Sequence, residues 1–222
     1  MKKSFKSIAL VLFVTVGLVS CNSCNSSKEM ESETNEVKEE VVSLTVSEPN
    51  EFFEEALAAF HSGKKEECVQ YMTKSLEAME ELKQDFKNPT PLEKQLTNLK
   101  GTIQKVKENK ITSEEELQKV FQACYHALAG HALLVTETYV EMDVPKDAKK
   151  SSHSAKYYLL KAEKNAISSS KHVYKDGLKE IELLTSKTES EFEKDEKAIK
   201  KGISNSFNFL KKIDENLEGG GE

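Results

Sequence analysis

Tryptophan and arginine are absent from this 222-residue chain, and proline and glycine, at 4 and 9 residues, are scarce. All 32 basic residues are therefore lysine. The planar guanidinium fork that grips phosphate or carboxylate in bidentate fashion is missing, and a formal charge of −6 provides no basic footprint, so no nucleic-acid partner is expected. There is no Gly-x-Ser-x-Gly turn and no phosphate-cradling glycine loop, nor a strand-to-helix elbow to carry either. Abundant carboxylates such as Glu77 and Glu81 have lysines near them at helical spacing, as on a solvated helix face. The chain is not expected to be an enzyme. What is present, 37% hydrophobic and 32% charged residues with few helix breakers, suits one domain or two small ones.

The N-terminus carries the sharpest signal. Lys2, Lys3 and Lys6 precede an apolar stretch over residues 8–18, the length of a secretory signal and short of the roughly 20 residues that span a bilayer. The stretch ends in Leu18-Val19-Ser20-Cys21, which resembles the lipobox of bacterial lipoproteins. The resemblance implies a signal peptide over 1–20, cleavage before Cys21, and acylation of Cys21 with palmitate-type chains. Several chains at about 0.8 kcal/mol per buried methylene anchor a protein stably, so the membrane would be met through lipid only. Asn22, in place of the aspartate of inner-membrane retention, implies sorting to the outer membrane. Ser27-Lys28-Glu29-Met30-Glu31 resembles the surface-export signals of Bacteroidota lipoproteins. The expected location is the bacterial cell envelope, at the periplasmic face of the outer membrane or the cell surface.

Residues 21–46 are rich in Ser, Asn, Glu and Lys and cannot bury enough apolar surface to offset their ordering entropy. They are expected to form a disordered acidic tether of about 80 to 90 Å contour length, with the weakly alternating run 41–46 packing on the domain. Cleavage after residue 20 leaves 29 lysines against 38 acidic residues, a charge of −9 that anionic lipid repels.

Beyond Ser47 the pattern is helical, and the expected fold is an all-α antiparallel array of about six helices over 47–218, with a flexible tail at 219–222. Ser47-Glu48-Pro49 opens helix 1, which stops at Ser62-Gly63. Helix 2, about 64–86, carries the stripe Cys68, Met72, Leu76, Met79, Leu82 and Phe86. After Asn88-Pro89-Thr90-Pro91, helix 3 repeats Leu92, Leu96, Leu99, Ile103 and Val106. Ser113 with Glu116 predicts a capping box for helix 4, which runs to about Met142. A loop containing Pro145 leads to helix 5, about 151–184. Thr188 with Glu191 caps helix 6, whose stripe runs from Phe192 to Leu217. Helix 4 has no Lys, Asp or Glu from Val120 to Thr136 and is apolar on every face, so it is expected at the centre of the array. Ala155, Ala162 and Ala166 make helix 5 its closest partner.

The residues that could carry chemistry are few. His126 and His131 lie about 140° apart around their helix and cannot share an ion from one face. Cys124 and His131 are about 10.5 Å apart along the axis, too far for one metal. No metal site and no resident cofactor is expected. Tyr125, His126, His131 and His153 are the candidates for lining a ligand pocket beside helix 4, and a haem or metal carrier is the alternative they would serve. Cys68 and Cys124 could pair as a disulfide in an oxidising compartment or pack as buried free thiols. Residues 52–79 resemble one divergent tetratricopeptide unit, with Phe52 at the early aromatic, Ala56, Cys68 and Ser75 at small positions, and Gly63 at the turn. Ala59 and Glu80 depart from its tyrosine and proline. The resemblance implies antiparallel helix pairing, and a peptide groove only if repeats stack. The expected function is a lipid-anchored envelope protein whose non-enzymatic helical domain binds a protein or peptide partner, with a small-ligand carrier or a structural, stress-related component as alternatives.

Overall fold

Apolar residues recurring at three- and four-residue spacing give each segment one face to bury. The computed structural model of the chain describes residues 49–84, 91–166 and 171–219. Over them run eight helices, α1 Pro49–His61, α2 Lys65–Gln84, α3 Leu92–Lys107, α4 Glu114–Glu141, α5 Pro145–Asn165, α6 Lys171–Thr185, α7 Glu189–Lys194 and α8 Glu196–Gly219, with no strand among the described residues. The fold is all-α, as expected. The expected signal peptide, the lipobox-like segment with Cys21, the expected tether and the Asn88-Pro89-Thr90 break lie outside the described residues.

Three helix ends share one device. Gly63 (φ 70°), Asn109 (φ 57°) and Asp143 (φ 56°) adopt the left-handed conformation, and the next N–H reaches back five residues, from Lys64 to Ala59 O at 2.9 Å, Lys110 to Lys105 O at 2.8 Å and Val144 to Tyr139 O at 2.9 Å. This is the Schellman closure, which satisfies the last carbonyls while turning the chain. Glycine enters that conformation freely, and Asn and Asp are among the side chains that tolerate it.

Three helix limits differ from those the sequence suggested. Pro145 is the first residue of α5, not part of a loop: its fixed φ suits the first turn, where its missing N–H costs nothing. The single helix expected over 151–184 is two, because α5 ends where Ala166 turns extended (φ −71°, ψ 140°). Beyond it the sequence reads Ser168-Ser169-Ser170, residues that compete with the backbone for its own hydrogen bonds. The expected helix 6 is parted at Asp195 (φ −126°, ψ 56°), whose carboxylate accepts the Ala198 N–H at 3.1 Å and so starts α8 where α7 ends. Of the two expected capping boxes, Thr188 and Glu191 form theirs in full. Ser113 accepts the Glu116 N–H, but the Glu116 carboxylate takes the Thr112 N–H instead of that of Ser113.

Short connections make successive helices antiparallel. Helices α1 to α4 form a ring in which each packs on the next and α4 returns to α1; α4, α5, α6 and α8 form a second ring, and α7 braces α5 and α8. Helix α4 belongs to both, so its apolar residues are buried all round, from Leu117 and Phe121 to Leu133 and Val140. Its most extensive partner is α5, where Ala155 and Ala162 are fully buried and Ser151 donates to the Ala132 carbonyl across the interface at 2.8 Å. Both expectations for α4 are met. The α1–α2 hairpin buries Ala56, Cys68 and Ser75 completely, but α1 closes onto α4 and the pair does not extend into a stacked array.

Candidate functional site

Two rings that share one helix meet along two seams of that helix. At the first seam, between α1 and α5, large side chains fill the space. Phe53 of α1 lies 4.7 Å from Phe121 and 5.3 Å from Tyr125, ring centre to ring centre. Glu54 pairs with Lys161 of α5, whose ammonium also stands 5.4 Å over the Tyr157 ring. Burial, with the nearby Glu54 charge, raises the Tyr125 phenol far above its ordinary value, so it stays neutral.

The second seam, between α3 and α8, is open. These helices do not pack extensively on each other, and a cleft of about 350 Å³ remains between them. Its floor is α4, through His126, Ala127 and Gly130; Pro91, which caps α3, stands with Lys94 and Gln95 of α3, and α8 contributes Phe207, Leu210, Lys211 and Asp214. Gly130 sets the spacing. A Cβ there would stand 3.2 Å from Pro91 Cγ, tight enough to press on that wall, and 3.5 Å from Leu210 Cδ1, in ordinary contact with the other.

The polar centre of the cleft is one cross-helix pair. His126 Nε2 lies 3.2 Å from Asp214 Oδ1, with the imidazole 7% and the carboxylate 57% exposed. The ring stands edge-on to Tyr174 at 6.2 Å, and the Tyr174 hydroxyl accepts from Gln122 Nε2 at 3.0 Å. Burial pushes the Tyr174 phenol up to about 12, opposed by the Gln122 hydrogen bond and helped by the Asp214 charge. The other ring nitrogen of His126, Nδ1, is buried and has no hydrogen-bond partner among the described residues.

The structure separates the four residues that the sequence singled out for a pocket. Only His126 lines the cleft. Tyr125 fills the closed seam, His131 is buried elsewhere on α4, and His153 is exposed on α5. Among the described residues no three of His, Cys, Asp and Glu converge on one point. The expected option of a Cys68–Cys124 disulfide is not taken: both are buried free thiols, because Cys68 sits on α2, which packs on α1 and α3, whereas Cys124 belongs to α4. Burial pushes their pKa values up to about 11 and about 12, which keeps both protonated and unreactive.

Sequence reasoning missed Asp214, Lys94 and Lys211. Lys211 and Asp214 flank the buried positions Leu210 and Ile213 on α8, where a charge reads as ordinary solvated surface. A second, smaller cleft of about 170 Å³ lies between α6 and α8 beside Leu183, which is 65% exposed. Among the described residues no helix is long and apolar enough to cross a membrane. Comparison with protein-family models, curated proteins and solved structures finds no significant match to this chain.

Proposed function

We propose that the chain is a lipid-anchored bacterial envelope protein whose helical domain is a non-enzymatic binding module, with the cleft between α3, α4 and α8 as its site. The lipobox-like Leu18-Val19-Ser20-Cys21 supports the anchor. The cleft itself carries the binding assignment: at about 350 Å³ it falls in the range of small-ligand sites, about 300 to 1,000 Å³. Its floor comes from the most enclosed helix of the fold, so its shape is fixed by packing and not by a loop. A protein partner is the second reading, favoured by the exposed Leu183 beside the α6–α8 groove.

Labelling cells with a palmitate analogue tests the anchor. The wild-type chain is expected to take up label and partition into detergent, and Cys21→Ser to do neither; an unlabelled wild-type chain refutes the anchor. Mass spectrometry of protein purified from detergent-solubilised membranes tests the module. A small molecule recovered in stoichiometric amount supports the cleft, whereas a stoichiometric protein partner without one moves the assignment to the α6–α8 face.

A further inference from the structure

We draw no further inference here: the strongest candidate, the groove of about 170 Å³ between α6 and α8 beside the exposed Leu183, is an unpartnered apolar face, and nothing in the structure shows what covers it.

Discussion

Two glycines in helix interiors should respond in opposite directions to the same substitution. Gly101 on α3 is exposed, with nothing near the position of a Cβ, so Gly101→Ala should stabilise by about 1 kcal/mol through helix propensity alone. Gly177 on α6 is buried, and the Phe209 ring of α8 occupies the space its Cβ would need. Gly177→Ala gains the same 1 kcal/mol or so, then loses more. Displacing a half-buried Phe ring forfeits about half of the roughly 1.5–3 kcal/mol that full burial is worth, and repacking around an inserted carbon costs about 1–3 kcal/mol. The net effect is a loss of roughly 1–3 kcal/mol. In a domain of this size each kcal/mol moves Tm by about 2–4 °C, so thermal unfolding followed by far-UV circular dichroism should separate the two variants clearly. A second step isolates the cause: in a Phe209→Ala background the obstacle is gone, and Gly177→Ala should become stabilising like Gly101→Ala. A Gly177→Ala protein as stable as Gly101→Ala, or one whose defect persists without the Phe209 ring, would refute this account of the α6–α8 contact.

Acid stability should depend on the cap of α7. The Glu191 carboxyl is held down to about 2 by the Thr188 N–H, the Lys187 ammonium group and the Thr188 hydroxyl. A folded-state pKa below the unfolded one contributes stability that is complete above the unfolded value and is lost as pH falls through the folded one. Stability should therefore drop between about pH 4.5 and about pH 2, and Glu191→Gln should flatten that part of the profile; an identical acid profile would show that the cap carries none of it. The thiols make a separate prediction. In a Cys21→Ser, Cys24→Ser background at pH 8, Cys68 and Cys124 should resist a thiol reagent while native, and two thiols should react after denaturation without reductant. No reactive thiol after denaturation would reveal a disulfide.

Composition and periodicity made the fold legible where local chemistry decides it. The uncharged run from Val120 to Thr136 identified the central helix because only a helix enclosed on all sides can leave so many apolar positions without a polar face. Ala155 and Ala162 identified its partner because small side chains allow close approach. The misplaced limits, at Pro145, Ala166 and Asp195, fall where one residue suits both a helix and its interruption. Proline reads as a breaker and as a first-turn residue; aspartate reads as surface and as a cap. At the candidate site the sequence pointed to His126, but not to Asp214, whose carboxylate comes from the last helix of the fold. Tyr125 and His126 sit next to each other in sequence, yet point about 100° apart around α4, so adjacency placed them in one pocket while the helix sent them to different seams.

Side-chain size along α4 decides which of the two seams opens. A helix in one ring buries one face; a helix shared by two rings has two faces committed and two sides where neighbours from different rings come together without packing on each other. Toward α1 and α5, α4 presents Phe121 and Tyr125, and Phe53, Tyr157 and the Glu54–Lys161 pair complete the filling. Toward α3 and α8 it presents Ala127 and Gly130, with His126 as the one large side chain, held by Asp214. Four residues separate His126 from Gly130, which puts them on one face. The absent side chain at Gly130 lets Pro91 and Leu210 come close to α4 while the floor beside them stays too shallow to fill the gap. The cleft is thus a consequence of the fold's topology, placed by the same helix that the sequence marks as central, and its polar pair lies where neither ring needs one for packing.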